Sequence, residues 1–314
     1  MSNSKLSIDD VERERSVILE ELKMYQDQPQ DYALNLLEEI IWPGHPLGRD
    51  IAGTAQSVAR LTRDHILEYA NAQYRLPNLV IGVAGAMDEE ETLAAIGSSV
   101  TLPAEPNGLV MPESPSPLLG SNVLLRRKRT EQAHIGLGVR AQSYLDPDRY
   151  ALDLLNTVLG EGMSSRLFLN IRERLGLAYD VHSFTQKHRD TGHLGIYLGV
   201  DPKKSTEAIR AVIAEMHRLC DEDLADEELH RAKEFTKGRL RLDLETTNGV
   251  AFWLTYQELL IGEIKDIEDE LTMVDAVTAA DIRRVANSVL RSPIQAAVIG
   301  PFTRESAFRT AIDA

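Results

Sequence analysis

Apolar positions recur every three or four residues from Val11 to Tyr25, and that period predicts a helix. At 100° per residue, Val11, Ile18, Leu22 and Tyr25 share one narrow stripe, with Glu12, Arg13, Ser16, Glu20 and Lys23 opposite. Two glutamates, Glu14 and Glu21, also fall within the apolar stripe and are expected to face the core. Farther along, β-branched runs with period two predict strands at Leu79–Val83, Asn122–Arg127, Ala133–Val139, Ala178–Thr185 and Leu194–Gly199. Helical periods predict helices at Arg149–Leu159 and Ser165–Glu173. The first hundred residues therefore read as helices with one strand, and the remainder as a mixture of strands and helices.

The stretch TLPAEPNGLVMPESPSPLLGS, residues 101–121, carries Pro103, Pro106, Pro112, Pro115 and Pro117 and can hold neither a helix nor a central strand. It reads as a linker between two domains, 1–100 and 122–314. The chain repeats itself across it. LTRDHILEYANAQYRLPNLVIGVAG from Leu61 aligns without a gap on VTAADIRRVANSVLRSPIQAAVIGP from Val277. Thr62, Ile66, Ala70, Asn71, Arg75 and Pro77 recur as Thr278, Ile282, Ala286, Asn287, Arg291 and Pro293. A weaker match sets SIDDVERERSVILEEL opposite ADEELHRAKEFTKGRL, placing Ala232 and Arg239 where Glu14 and Glu21 stand. The expected fold is α+β, two related helix-plus-sheet domains. The second copy has Asn122 to Asp221 ahead of this helix, and the first has only a few residues there, so the first domain reads as truncated at its front. One strand cannot close a sheet, so this half is expected to borrow strands or to pack loosely.

A carboxylate buried without a partner neutralises itself or costs several kcal/mol. Core-facing Glu14 and Glu21 therefore imply a metal, another cation or a dense hydrogen-bond shell; the alternative is a charged helix in which Arg13 or Arg15 satisfies them. Because the second copy does without both carboxylates, they are dispensable to the fold and point to function.

A chain of 314 residues that is 43% hydrophobic can bury two ordinary cores. Its net charge of −15, with no basic cluster interleaved by aromatics, argues against a phosphate-tracking nucleic-acid binder and favours basic or neutral polypeptide partners. The single cysteine, Cys220, excludes an internal disulfide and reads as a small core residue. Met1 to Ser7 is polar, and no run of eighteen apolar residues occurs, so the sequence predicts neither export nor a membrane span and hence a cytoplasmic protein.

ERERSVILEELKMYQDQP followed by HPLGRDIAGT, and later GEGMSSRLFLNIRERLGLAYDVHSF, resemble the pitrilysin or insulinase family of zinc peptidases, above all its processing-peptidase branch. The resemblance covers essentially the whole chain. It implies zinc held by an inverted H-x-x-E-H helix, whose glutamate is the general base, and by a third glutamate downstream. That third ligand maps onto Glu21, and the acidic residue that supports the site from outside the ligand set maps onto Glu14. Positions i and i+7 share a helix face but lie ~10 Å apart along it, too far to ligate one ion together. The resemblance further implies that Arg172 and Tyr179 hold the substrate backbone; by themselves they read as a helix-end cation and an edge aromatic. Ser164 is placed to cap the intervening helix and Gly176 to end it in the left-handed region.

The sequence departs from the family at its centre, because it contains no H-x-x-E-H. His188 and His193 come nearest, and they flank a Thr191-Gly192 turn instead of sharing a helix face. Zinc with one carboxylate and no imidazole is not a site. Gly160-Glu161-Gly162 follows a helical pattern where a dinucleotide-binding turn needs a strand, no G-x-S-x-G elbow occurs, and Asp88 to Glu91 reads as an acidic helix start. The sequence thus predicts a member of a zinc metalloendopeptidase family that cleaves peptides with a metal-activated water, inactive as this chain alone. Zinc is not expected to bind it unaided, and a homodimer or a complementing N-terminal segment is the expected partner besides peptide. The rival expectation is a non-catalytic subunit of a peptidase-like complex.

Overall fold

The computed structural model describes residues 4–106 and 112–313; residues 107–111 of the proline-rich linker lie outside the described residues. In chain order it contains α1 (Ile8–Gln26), α2 (Pro29–Ile41), α3 (Ala55–Arg60), α4 (Arg63–Gln73), α5 (Glu89–Ser99), β1 (Asn122–Arg127), β2 (Ala133–Ala141) and α6 (Arg149–Gly160). Then follow β3 (Ala178–Lys187), β4 (Gly192–Val200), α7 (Ser205–Asp221), α8 (Asp226–Asp243), α9 (Thr247–Leu260), α10 (Ile267–Ala276), α11 (Ala279–Val289), β5 (Gln295–Gly300) and α12 (Ser306–Ile312). The fold is α+β, as expected. The repeat extends to the helix starts: Thr62 and Thr278, at matching places, each accept from the backbone N–H three residues on, while the His65 or Asp281 side chain there accepts in return. Asp88 caps α5 by accepting from Glu91 N–H.

The described chain gathers into two compact units: Met1–Gln26, Asp50–Glu113 and Asp243–Ile264 in one, Asp27–Arg49, Ser114–Leu242 and Lys265–Ala314 in the other. The division in space differs from the expected division along the sequence at two helices. α2 precedes the linker yet belongs to the unit with the sheet, and α9 follows the linker yet belongs to the other unit. These helices occupy matching places in the repeat, each coming after the helix that carries Glu14 and Glu21 or Ala232 and Arg239. The two copies have exchanged a helix.

In the larger unit five strands run in the order β1-β5-β2-β4-β3, with β1 parallel to β5 and the other neighbours antiparallel. Alternation sorts the side chains. Ile135, Leu137, Val139, Ala296 and Val298 join the main core with Leu152 and Leu155 of α6, Ile209 and Val212 of α7 and Val285 of α11. On the opposite face Ala297 and Ile299 meet Ala33, Leu37, Ile41 and Trp42 of α2 and its end. Gly136 and Gly138 of β2 make room for that helix: a Cβ on Gly138 would lie 2.5 Å from Ile41 Cδ1. Arg140 secures its C-terminus by donating from Nε and Nη2 to the Ile41 carbonyl, at 3.1 and 2.8 Å, with the guanidinium over the Trp42 ring.

The smaller unit corrects one expectation. Leu79–Val83 forms no strand among the described residues, although its counterpart in the repeat is β5, flanked by β1 and β2. Extended backbone with no neighbour cannot form a ladder, and Ile81 and Val83 stand 46% and 41% exposed. Its covered side meets α9, where the Ala251 carbonyl and the Thr255 side chain crowd Gly82.

His193, on β4, is fully buried, and neither of its ring nitrogens has a hydrogen-bond partner among the described residues. Trp42 and Phe184 meet its ring edge-on at 6.0 and 5.9 Å. Burial pushes its pKa down to about 4, with His188 acting in the same direction. A folded pKa below the unfolded one means that acid protonates the unfolded chain first. Stability is therefore expected to fall as pH drops from about 6.5 to about 4, by as much as ~3 kcal/mol from this group. Urea midpoints across that range check it, and His193→Phe should flatten the dependence.

Candidate functional site

Arg172 and Tyr179 are 7 positions apart and line one pocket of about 360 Å³ with Glu173, Gly176, Asp201 and Lys204. Each is placed by an irregularity. Phe168–Arg174 winds as a π-helix, a widened turn often found at functional sites. Gly176 takes φ +58, the left-handed stop expected of it. The pairing of β3 with β4 then skips from Ala178–Val200 to Asp180–Gly199, leaving Tyr179 as the extra residue of a bulge. A bulge re-aims its side chain out of the ladder, and Tyr179 is accordingly 61% exposed. The Arg172 guanidinium lies 4.8 Å from the centre of the Phe168 ring and 3.8 Å from the Glu173 carboxylate. Such a planar cation, half in solvent, offers N–H groups to carbonyl oxygens. Sequence reasoning missed Lys204, whose Nζ donates to the Gly176 carbonyl at 3.1 Å and so holds the turn between the two residues. No local pattern signals a contact between residues 28 apart.

Glu14 and Glu21, in the other unit, are both exposed, which corrects the expectation that they face a core. The helical stripe is present, but Leu22 alone of α1 is buried, because little in that unit covers the stripe. Glu14 stands at a groove of about 280 Å³ lined by Val11, Ile18, Val58, Leu61 and Ile66. The ion-pair alternative also fails: Arg13 pairs with Asp10, while Arg15 pairs with Glu12 and donates to the Val58 carbonyl. Among the described residues no three His, Cys, Asp or Glu side chains converge on a metal position. A lone Glu21 carboxylate does not fit zinc by itself. The second copy explains why it can dispense with a metal at the matching place. Its Arg239, standing where Glu21 stands, is bound to Glu161, which also accepts from Asn156 and Thr157 of α6.

The sequence model described as the peptidase M16 inactive domain matches residues 60–235. An uncharacterized zinc protease of Streptomyces coelicolor is 33% identical over 319 residues, spanning 98% of this chain and 69% of its own length. One of Bacillus subtilis is 32% identical over 95% of this chain and 72% of its own. The chain belongs to the M16 peptidase family. The architecture agrees: an M16 inactive-domain crystal structure from Pseudomonas fluorescens superposes with a TM-score of 0.88 at 21% identity, covering 96% of the M16 chain described here and 72% of that one. A chain of complex III₂ from Candida albicans superposes with a TM-score of 0.84 at 19% identity, over 97% and 76% of the two chains. These likenesses show that the motif-based resemblance to zinc peptidases reflects membership of the family. Among its described residues no helix is long and apolar enough to cross a membrane.

Proposed function

We propose that this M16 chain supplies the substrate-holding portion and the third metal ligand of a peptide-hydrolysing site whose H-x-x-E-H helix comes from another polypeptide segment. The observation that carries this reading is the convergence of Arg172 and Tyr179, each set by its own backbone irregularity, on one open pocket. In this reading the Arg172 N–H groups and the Tyr179 hydroxyl bind substrate carbonyls and hold an extended peptide still. Glu21 faces solvent, available to an incoming segment, and Glu14 lies two turns earlier on α1. Zinc, where a complete site holds it, would activate the attacking water. The chain's own residues carry no general base of the H-x-x-E-H kind, so the chain by itself is proposed to be inactive.

The test is reconstitution. This chain is mixed with a segment carrying the family's front strands and H-x-x-E-H helix, and zinc content and hydrolysis of a fluorogenic peptide are followed. Hydrolysis in the mixture and none in either part is expected; hydrolysis by this chain alone would overturn the reading. Within the reconstituted complex, Tyr179→Phe should lower kcat/KM about tenfold, the loss of one hydrogen bond, with zinc retained. An unchanged kcat/KM would remove Tyr179 from the substrate site.

A second reading is favoured by the exposed setting of Glu14 and Glu21, since among the described residues no three His, Cys, Asp or Glu side chains gather into a metal-holding group. It makes the chain a non-catalytic subunit of a complex, and the similar chain from Candida albicans is itself part of an assembly, complex III₂. Reconstitution that yields a stable assembly without hydrolysis would support it.

A further inference from the structure

β1 forms one edge of the sheet and runs directly into the most basic stretch of an acidic chain, Arg126-Arg127-Lys128-Arg129, against a net charge of −15. Asn122 N–H donates to the Ile294 carbonyl and Lys128 N–H to the Gly300 carbonyl, at 3.2 and 2.9 Å, so the even-numbered residues of β1 turn their backbone toward β5. Val123, Leu125 and Arg127 then turn theirs to the open side. Asn122 Oδ1 accepts from Val123 N–H at 2.9 Å, but the N–H groups of Leu125 and Arg127 have no partner among the described residues. Of the four cations, Lys128 is held by Asp27 at 2.9 Å. Arg126, Arg127 and Arg129 are exposed and form no ion pair among the described residues, and Glu131 is the one acidic residue in the same loop.

We propose that the open edge of β1 docks an extended acidic segment of a partner polypeptide, independently of the peptidase reading above. Strand addition would give the Leu125 and Arg127 N–H groups the carbonyls they lack. Alternation sends Arg126 and Arg127 to opposite faces of the sheet, so an acidic strand finds a cation on either face and a third at Arg129. The charge selects the occupant. A second copy added edge to edge would set two runs of arginine against each other, and like charges across a strand pair destabilise it. A nucleic acid could use the arginines but not the amides, and the chain's overall negative charge repels it. Charged residues also guard sheet edges against aggregation, a role that either sign of charge can fill; three unpaired arginines in a chain this acidic add selectivity for an anion.

The test titrates the full chain with a synthetic peptide of alternating Glu and Val, and in parallel with its Lys-for-Glu counterpart and with single-stranded DNA. The Glu peptide should bind and weaken with salt, and hydrogen exchange should slow at the Leu125 and Arg127 amides with little change at Leu124 and Arg126. Arg126→Glu with Arg127→Glu should weaken binding at least about tenfold. Leu125→Pro, which removes only an outward N–H, should weaken it similarly. Failure of the Glu peptide to bind better than the Lys peptide would overturn the proposal. So would DNA binding as tightly as the Glu peptide, or unchanged exchange at Leu125 and Arg127 in the unsubstituted chain, a readout that does not depend on how well the proline variant folds.

Discussion

Glu21→Gln is expected to abolish zinc binding and peptide hydrolysis together when this chain is combined with a segment that supplies the H-x-x-E-H helix. A neutral amide is a far poorer ligand than a carboxylate, so position 21 would no longer supply the anionic oxygen that would help hold zinc there. The loss should exceed by a wide margin the ten- to hundredfold typical of residues that only orient ligands. Glu14→Gln provides the comparison: it lies two helical turns, ~10 Å, from Glu21 and should cost roughly ten- to hundredfold in affinity or rate. Metal analysis after dialysis, paired with peptidase assays on the same samples, measures both. If Glu21→Gln kept full zinc and activity, the third ligand would have to be sought elsewhere, while the fold and the family would stand.

Leu37→Ala should destabilise the sheet-bearing unit by ~2–5 kcal/mol, the range for a fully buried leucine truncated in a core. Leu37 is completely buried and touches both Gly136 and Gly138, so its removal leaves a void directly on β2. Gly138→Val tests the same contact from the other side. Its Cβ alone would come within 2.5 Å of Ile41, so α2 must lift, and Trp42, 1% exposed, should shift its fluorescence to the red. Denaturant midpoints and tryptophan emission read the two variants. A Leu37→Ala midpoint equal to that of the unsubstituted chain would mean that α2 does not lie on this sheet in solution.

These two predictions differ in how far the sequence could carry them. Glu21 was found from the residues around it and from the family motif, and its solvent-facing position changes the physical argument. The helical period puts both glutamates on one stripe of α1, but whether that stripe is covered depends on a second element. Of α1 Leu22 alone is buried, so the exposed carboxylates of Glu14 and Glu21 incur little desolvation cost. The Leu79–Val83 expectation failed for a related reason. Its β-branched run is the equal of β5, but a strand exists only in a ladder, and the ladder partners of β5 are β1 and β2. Arg172 and Tyr179 were legible only through the family. The bulge that aims Tyr179 follows from how β3 pairs with β4, and Lys204 enters through a fold contact no spacing announces.

The sequence by itself determined α1 and α6, the acidic start of α5 at Asp88, most of the strands of the sheet, the internal repeat and the family. Each of these depends on residues within a turn or two of one another, or on a pattern laid down twice in the same chain, and periodicity and capping act over that distance. Only the tertiary structure decided that α2 and α9 change places between the two copies, that Glu14 and Glu21 face solvent, that Arg239 binds Glu161, and that Tyr179 is thrown out of its ladder. Those outcomes turn on which surface a given face meets, and burial and strand pairing are properties of two partners where sequence periodicity describes one.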